Sequence, residues 1–376
     1  MGSQELERYR MLRSLEVENF RGLTKQSLTN LSRINVIVGP NAAGKTALLE
    51  SIFLGARASP QAGLALWHAR SQQMALPMGV PGFRAVWGGF FSGMDMSRQI
   101  SIFFVDSNLG RRGIRIFPSK SDPIGTTNRK KRQQTLPQVA ASLTDPSDNQ
   151  SLTFERIGQG GAQNRVRTMV GPQGQLLADA ANPIGPSVAI FGSSAVYNEH
   201  DNITWLSELS VANREGEALR LLQAEFPYIE SLATLSISGF QGIYVSYTGA
   251  QAKLPIGLVS SGIQKILTFI LASLNYTDGI ILIDELENGL FYKRYGDVWS
   301  LLHELAVERD NQIFVTSHSL ECLKAALSVV QKAPEDFTLI RMERKTHDTV
   351  ARRFNGVEFA AALEQDVDPR GVERAL

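Results

Sequence analysis

The chain has 376 residues, of which 43% are hydrophobic and 20% are charged. This length predicts one large or two modest domains, and the apolar share excludes a mainly disordered chain. The 38 lysines and arginines nearly balance the 37 acids, which excludes a wholly basic nucleic-acid coat protein. A single cysteine, Cys322, excludes a disulfide framework within the chain and a multi-cysteine zinc site.

The sequence contains no pattern typical of membrane insertion or export. Its first segment, Met1–Arg13, is charged and lacks the apolar stretch of a signal peptide. The longest apolar runs, Ile266–Leu274 and Ile280–Ile283, are too short to cross a bilayer. We therefore expect a cytoplasmic protein with no membrane partner.

The N-terminal segment predicts an α/β arrangement. Alternating apolar and polar residues at Ser14–Asn19 predict a half-buried strand, and the β-branched run Ile34–Val38 predicts a central strand buried on both faces. A glycine-bearing turn follows, and Lys45–Phe53 then has the apolar spacing of a helix.

The middle of the chain, residues 83–190, is rich in Gly, Pro, Ser, Gln and Asn. Short β-like runs separated by turn signals predict antiparallel hairpins, which would form a β-rich insert in a single head spanning residues 1–376. Part of the insert, around Lys120–Ser147, is expected to be a disordered excursion. The predicted strands are Ile100–Val105, Ile114–Phe117, Leu152–Ile157 and Val166–Val170.

Helical character returns at Asn202–Glu225, and residues 200–275 are expected to form a helical lobe. Strands and helices alternate after that lobe begins, which is typical of a parallel sheet. The predicted strands are Phe240–Thr248, Ile280–Ile283, Gln312–Thr316, Phe337–Met342 and Val350–Phe354, and the predicted helices are Gln264–Leu274 and Val298–Val307.

One octapeptide between the first buried strand and its helix matches the phosphate-binding motif G-x-x-x-x-G-K-[ST]. Its backbone N–H groups and the N-terminus of the following helix would hold phosphate oxygens. Lys45 would reach the β- and γ-phosphates, and Thr46 would bind Mg²⁺. The alternative is a chance glycine turn before a helix. The residues are Gly39, Pro40, Asn41, Ala42, Ala43, Gly44, Lys45 and Thr46.

Two acids follow the buried strand Ile280–Ile283. A charge inside a sheet is costly, so Asp284 and Glu285 are expected to emerge at the carboxyl end of the strand, where ligands bind in open α/β sheets. Asp284 suits Mg²⁺ binding, and Glu285 suits a general base that polarises the attacking water. Capping of the next segment is the structural alternative.

Two further segments carry candidate site residues. His318 follows the buried strand Gln312–Thr316, where its Nε2 could contact the γ-phosphate or the attacking water, although a histidine at a strand end is often structural. Ser260, Ser261 and Gly262 precede a strong helix. They would form an anion-binding corner or an N-cap, and both roles are compatible.

The order of these motifs resembles the ATP-binding heads of the ABC, SMC and RecF superclass. There a phosphate loop, a Ser-Gly signature turn, an Asp-Glu strand end and a switch histidine follow in the same order. Asn19-Phe20-Arg21-Gly22 resembles the N-terminal turn of RecF and SMC heads, which adds Arg21 to the candidate nucleotide contacts. The sequence also resembles stand-alone AAA-type ATPases related to the ATPase half of OLD-family nucleases. The segments that resemble the motif blocks of that group are Pro255–Leu267, Ile280–Leu290 and Gln312–Cys322.

This resemblance implies a fold and a mechanism. The fold would be an α/β P-loop NTPase of the ABC/SMC head type, with the β-rich and helical lobes inserted. Two heads would sandwich ATP between the phosphate loop of one and the signature turn of the other, giving a homodimer or a higher homo-oligomer. Asn288-Gly289-Leu290 would cross that interface, although the turn reads Ser-Ser-Gly and Phe291 stands where many relatives have histidine.

A Toprim nuclease domain is not expected, because only 58 residues follow His318 (376 − 318) and they hold no strand-end Glu followed by Asp-x-Asp. The first hypothesis is therefore a Mg²⁺-dependent ATPase that acts as the switch of a bacterial anti-phage defence system and controls a partner effector such as a nuclease. A transporter subunit is disfavoured by the long insert and the Phe-Arg-Gly start.

Two other hypotheses stay open. A RecF-like repair ATPase would bind DNA or RNA directly through a basic cluster in the middle lobe. That cluster is equally compatible with a solvated loop, because aromatic residues do not interleave with it. A non-catalytic nucleotide-binding scaffold is the third. The basic residues are Arg111, Arg112, Arg115, Lys120, Arg129, Lys130, Lys131 and Arg132.

Overall fold

The computed structural model describes residues 11–71, 83–106, 110–120, 134–135, 150–158, 161, 163–170, 176–178, 188–192, 199–345 and 348–371. The strands in these ranges are β1 (Leu12–Phe20), β2 (Leu23–Thr29), β3 (Ile34–Val38), β4 (Ile100–Asp106), β5 (Gly110–Lys120), β6 (Gln134–Thr135), β7 (Gln150–Ile157), β8 (Gln163–Val170), β9 (Leu176–Ala178), β10 (Val188–Phe191), β11 (Ile229–Ile237), β12 (Phe240–Tyr247), β13 (Leu254–Pro255), β14 (Ile280–Ile283), β15 (Gln312–Thr316), β16 (Phe337–Lys345) and β17 (Asp348–Asn355).

The α-helices in the same ranges are α1 (Lys45–Arg57), α2 (Pro60–Ser71), α3 (Phe83–Trp87), α4 (Glu199–Val211), α5 (Glu215–Glu225), α6 (Ile256–Val259), α7 (Ser261–Asn275), α8 (Tyr295–Glu308), α9 (Leu320–Ala325), α10 (Leu327–Lys332) and α11 (Gly356–Glu364). None of these helices is both long enough and apolar enough to span a bilayer.

A six-stranded sheet carries the predicted motifs. Its order is β10-β14-β15-β3-β16-β17, and all pairs are parallel except the edge pair β16–β17. Every residue of β3, β14 and β15 is buried. The loops that follow β3, β14 and β15 therefore meet at one edge of the sheet, as expected for adjacent parallel strands.

The side chains of this sheet alternate between two hydrophobic clusters. Val36 belongs to the cluster that contains the apolar residues of α7 and α8, whereas Ile37 belongs to the cluster that contains those of α1. In β14, Ile281 and Ile283 face the first cluster, and Leu282 faces the second. The period of two in a strand produces this division, which puts α1 and α7 on opposite faces of the sheet.

An eight-stranded antiparallel sheet, ordered β2-β1-β4-β5-β7-β8-β9-β6, packs on the α1 side. A three-stranded antiparallel sheet, β11-β12-β13, lies with α4 to α7 on the other side. The prediction of an α/β fold with antiparallel and helical parts added to a parallel sheet is confirmed.

The strands and helices predicted from periodicity are confirmed in the described ranges, with ends that differ by a few residues. Two boundaries of the β-rich insert differ from expectation. β10 begins inside residues 83–190 but joins the parallel sheet, and β1 and β2, from outside that segment, complete the antiparallel sheet. Most of the predicted excursion at Lys120–Ser147 lies outside the described residues. The division of 1–376 into a head, an 83–190 insert and a 200–275 lobe stays a prediction.

Candidate active site

The predicted phosphate loop connects β3 to α1. Gly39 has φ 141° and Gly44 has φ 88°, which are values that favour glycine. A Cβ atom at Gly39 would lie 2.3 Å from the carbonyl oxygen of Met342 on β16, so a larger residue does not fit. The loop residues Pro40, Asn41 and Ala42 are exposed, whereas Ala43 is buried. The N–H of Leu48 reaches the carbonyl of Gly44 at 2.9 Å, so the first turn of α1 closes directly behind the loop.

Lys45 lies inside the loop that precedes it. Its Nζ donates to the carbonyl oxygens of Gly39 at 2.8 Å and Pro40 at 3.0 Å. Burial lowers the pKa of Lys45, and the carboxylates of Asp284, Glu285 and Glu287 oppose that change. The ammonium group is therefore next to both the loop carbonyls and the acids that follow β14.

Thr46 connects the phosphate loop to the acidic strand end. Its Oγ1 lies 2.9 Å from Oδ2 of Asp284, although 238 residues separate the two in the chain. A hydroxyl and a carboxylate are hard oxygen ligands of the kind that Mg²⁺ takes together with substrate phosphates and water. The two side chains therefore fit a Mg²⁺ ion, and the described residues contain no larger His, Cys, Asp and Glu cluster suited to a different metal.

Thr316, at the end of β15, orders the acids. Its hydroxyl donates to Oδ1 of Asp284 at 2.6 Å and accepts from the backbone N–H of Glu285 at 2.8 Å. The N–H of Leu286 bonds to the carbonyl of Thr316 at 3.0 Å. The carboxyl ends of β14 and β15 are thus cross-linked, which fixes the direction in which the acids leave the sheet.

Glu285 has a left-handed backbone, with φ 51°, which is uncommon for a residue with a Cβ atom. Asn288 donates its side-chain N–H to one carboxylate oxygen of Glu285. The Glu285 side chain is 33% exposed, whereas Asp284 is buried. Glu285 is therefore the acid of the pair that is accessible to a water molecule.

His318 lies beside both glutamates of the β14 loop. Its Nδ1 is 2.9 Å from Oε1 of Glu287 and 4.0 Å from Oε1 of Glu285. The imidazole is 45% exposed. Arg370, held by Asp368 at 2.6 Å, donates to the carbonyl oxygen of His318 at 2.5 Å. The predicted switch histidine is thus adjacent to the predicted general base.

The predicted signature turn packs against the loop that follows the acids. A Cβ atom at Gly262 would lie 3.3 Å from the carbonyl oxygen of Gly289, and one at Gly289 would lie 3.9 Å from Oγ of Ser261. Ser260 takes the N-cap position of α7, but its side chain makes no capping hydrogen bond. The hydroxyl of Ser260 is therefore not committed to the helix end, as a simple N-cap would be.

Lys265 holds the two segments together. It is 2% exposed, and its Nζ donates to the carbonyls of Glu285 at 3.1 Å, Leu286 at 2.8 Å and Asn288 at 2.7 Å. Burial lowers its pKa to about 8, and the charge of Glu287 is the largest opposing influence. One ammonium thus connects helix α7 to the loop that carries Glu285.

Arg21 is held by other groups. Its Nε lies 2.6 Å from Oε2 of Glu50 on α1, and its guanidinium stacks over Phe90 at 5.0 Å. Burial lowers the pKa of Arg21 to about 10, and Glu50 opposes that change. Arg70 shares the Glu50 carboxylate at 2.7 Å. The contacts of Arg21 hold the N-terminal turn against α1. A role of Arg21 in nucleotide binding stays a prediction.

The structure divides the basic cluster. Arg111 and Arg115 share one face of β5, where both guanidiniums lie over Phe103, at 4.2 Å and 5.6 Å. Arg111 also pairs with Glu16 at 2.6 Å. Arg112 lies on the opposite face of the strand. Residues 129–132 lie outside the described part of the chain.

Sequence reasoning missed Thr316, Glu287, Lys265 and Arg370. Thr316 and Glu287 lie beside predicted site residues in the sequence, so their polarity at a strand end was an available signal. The motifs give no signal for Lys265 and Arg370, because their importance comes from contacts with distant parts of the chain.

The chain is 21% identical over 348 residues to the "ATP/GTP phosphatase" of Helicobacter pylori, covering 86% of this chain and 89% of that protein. It is 28% identical over 98 residues to the "Uncharacterized protein MJECL10" of Methanocaldococcus jannaschii, covering 26% of this chain and 43% of that protein.

Solved SMC head domains are also similar. One, bound to the C-winged helix domain of ScpA, is 12% identical with a TM-score of 0.47 and covers 92% of this chain and 97% of that chain. Another, from Thermotoga maritima, is 13% identical with a TM-score of 0.41 and covers 91% of this chain and 98% of that chain. TM-scores this low support no functional conclusion.

The family described as "AAA ATPase domain" matches residues 11–62 and 162–323. The two matched ranges include the phosphate loop, the signature turn, the acidic strand end and His318, whose mutual positions are given above. Because they make up more than half of the sequence, the chain belongs to the AAA ATPase domain family.

Proposed function

We propose that this chain binds ATP and hydrolyses it to ADP and phosphate with Mg²⁺. The observation that carries the proposal is the 2.9 Å contact between Thr46 of the phosphate loop and Asp284 at the end of β14. It brings a phosphate-binding segment and a carboxylate into one site, next to Glu285 and His318. The name of the Helicobacter pylori relative, "ATP/GTP phosphatase", supports hydrolysis.

Each residue of the site has a distinct task in this reaction. Backbone N–H groups of Gly39–Thr46 and the N-terminus of α1 bind the phosphates, and Lys45 moves from the loop carbonyls to the β- and γ-phosphates. Glu285 accepts a hydrogen bond from the attacking water and increases its nucleophilicity. His318 contacts the γ-phosphate or that water through its exposed edge.

Thr46 and Asp284 would hold the Mg²⁺ ion. The ion would neutralise negative charge on the β- and γ-phosphate oxygens. Thr316 keeps one oxygen of Asp284 occupied, at 2.6 Å, and so leaves the other to Thr46 and the ion. The proposed ligands are therefore oriented before nucleotide arrives, which lowers the reorganisation needed for binding.

We also propose that ATP joins two heads. Ser260–Gly262 and Asn288–Leu290 form one continuous surface, because Gly262 packs on Gly289. The helices α1 and α7 lie on opposite faces of the parallel sheet. That arrangement favours a nucleotide shared between the phosphate loop of one protomer and the signature turn of another, in a homodimer or higher homo-oligomer.

Finally, we propose that the nucleotide cycle controls a partner effector, such as a nuclease, in a bacterial anti-phage defence system. The support is the resemblance of the motif blocks to ATPases related to OLD-family nucleases. Co-purification of a nuclease encoded by a neighbouring gene, and phage protection that depends on Lys45, would test this role. Protection that survives Lys45→Ala would contradict it.

The enzymatic proposal is tested by phosphate release with Mg²⁺·ATP. Wild type should turn over, EDTA should abolish turnover, and Lys45→Ala should prevent it. Glu285→Gln should lose at least about a hundredfold in kcat while it still binds ATP. ATP should then shift Glu285→Gln to a dimer in light scattering. A wild type without turnover would contradict hydrolysis, and a monomeric Glu285→Gln with bound ATP would contradict the sandwich.

One observation favours a second candidate, a RecF-like ATPase that binds DNA directly. Three arginines, Arg111, Arg115 and Arg165, project from the outer face of the antiparallel sheet. The register brings Arg115, Glu155 and Arg165 side by side, with ion pairs of 3.4 and 2.7 Å.

Fluorescence anisotropy with duplex and single-stranded DNA tests this alternative. DNA binding should weaken steeply with salt and should decrease in an Arg111→Ala/Arg115→Ala/Arg165→Ala variant, or when Arg129–Arg132 are neutralised. Equal DNA affinity in wild type and both variants would contradict it.

A further inference from the structure

Glu287 is an acid for which the proposed reaction has no task. It is 7% exposed and lies two residues after Glu285. Its Oε1 accepts two hydrogen bonds, from the backbone N–H of His318 at 2.7 Å and from that of Ser319 at 3.0 Å. The same oxygen lies 2.9 Å from Nδ1 of His318. The two bonds orient the backbone of the turn, and the short contact places the carboxylate beside the imidazole ring.

The short contact between Nδ1 and Oε1 has a chemical consequence for His318. A carboxylate is only an acceptor, so the nitrogen that faces it must carry a proton. The neutral imidazole then has its proton on Nδ1, which leaves the lone pair on Nε2. Nε2 is on the side of the ring away from Glu287, and the imidazole is 45% exposed, so that lone pair is available to a ligand or to water.

Lys265 is a further buried charged group of this region. Glu287 is the strongest of the negative charges that act on it. Lys265 in turn holds the carbonyls of Glu285 and Asn288.

We propose that Glu287 is a positioning residue that fixes His318 as the Nδ1–H tautomer and presents Nε2 to the nucleotide or its attacking water. Glu287 touches neither substrate nor water in this arrangement and acts only through His318. The target of Nε2 rests on the proposed function, whereas the tautomer is a property of the protein itself and can be measured without ATP.

The tautomer is measured by ¹⁵N NMR on the full chain with labelled histidine, above the pH at which the rings lose their charge. His318, assigned with His318→Ala, should show a protonated Nδ1. His303 is an internal control with the opposite geometry, because its Nε2 faces Asp336 at 2.9 Å and should carry the proton. An Nε2–H tautomer at His318 of the wild-type protein would overturn the proposal, whatever the ATPase activity.

The consequence for activity is tested with Glu287→Gln, whose amide keeps the shape but not the charge. The Nε2–H form of His318 should become populated, and kcat should fall by about tenfold to a hundredfold with little change in KM. Glu287→Asp, which retains the charge, should keep the Nδ1–H form and recover part of kcat. Asp336→Asn should change the signal of His303 only.

A double-mutant cycle separates positioning from a general structural role. In a His318→Ala background, Glu287→Gln should have almost no further effect on kcat, because its effect passes through the ring. Equal losses in both backgrounds would overturn the proposal even if wild type has the expected tautomer. If Glu287→Gln fails to fold, the same cycle is run with Glu287→Asp. Absence of wild-type turnover would contradict the proposed function and leave the tautomer result standing.

Discussion

At the scale of single residues, Lys265 on helix α7 stabilises the site, because it anchors the loop that carries Glu285. Replacing Lys265 by Met should lower the free energy of unfolding by about 2 to 4 kcal/mol, because three carbonyl oxygens lose a charged donor. The ATPase rate should fall too, since the Glu285 loop loses its anchor. Urea unfolding measures the first effect, with Lys293→Met, at an exposed position after the same loop, as the control. Equal losses in the two variants would contradict the assignment.

The charge of Lys265 also predicts a pH dependence. Burial lowers its pKa to about 8 in the folded protein, whereas a lysine in an unfolded chain has a pKa of about 10.4. Between these values the unfolded state binds more protons, so stability rises with pH. The free energy of unfolding of wild type relative to Lys265→Met should therefore be flat below pH ~8 and rise from there to pH ~10. A flat difference up to pH ~10 would contradict the lowered pKa.

At the scale of elements, helix α1 depends on a glycine that faces the antiparallel sheet. A Cβ atom at Gly55 would lie 2.6 Å from Ile102 and 2.7 Å from Phe104, both on β4. Gly55→Ala should therefore destabilise the protein by about 1 to 3 kcal/mol through overpacking. Gly216→Ala is the matched control, because Gly216 is exposed on α5 with nothing within 4 Å of the added atom, and it should be neutral or stabilising. Thermal unfolding of the two variants gives the comparison.

The elements also show what periodicity can predict. Buried strands such as Ile34–Val38 could be predicted, because a run of β-branched residues between turns rarely adopts a structure other than a strand. The pairing of strands with one another could not be predicted. β1 bonds to β4 some eighty residues away, and no local pattern specifies a partner at that distance. The same limit explains why the range predicted for the insert, residues 83–190, overlaps β10, which is the edge strand of the parallel sheet.

In the candidate site, too, some features could be predicted from the sequence and others could not. Gly39–Thr46 and the acids after β14 were predictable, since phosphate binding and sheet-edge charges leave a local pattern of residue types. Thr316 and Glu287 could be noticed as polar residues beside predicted site residues, but their roles could not be predicted. The partners of their side chains lie about thirty residues away on a neighbouring strand end. Contacts that only the folded sheet creates leave no local pattern in the sequence.

At the scale of the whole molecule, the site lies where the two hydrophobic clusters meet. The cluster that includes α1 supports the phosphate loop, and the cluster that includes α7 supports the signature turn. The acids of β14 leave the sheet that separates the clusters. A sandwiched nucleotide would therefore contact the phosphate loop of one protomer and the signature turn of the other. Activity would then require both protomers of a dimer.

Subunit mixing tests this directly. Lys45→Ala disables the phosphate loop and Ser260→Arg disables the signature turn, so each variant alone should be inactive. In an equal mixture, half of the dimers are mixed and each mixed dimer has one intact site, so about a quarter of wild-type activity should return. Lys45→Ala mixed with Glu285→Gln is the matched control, because in a sandwich both residues act on the nucleotide of their own protomer and no site is restored. Recovery in both mixtures, or in neither, would contradict a site shared between heads, and recovery in the first alone would assign the signature turn to the partner's nucleotide.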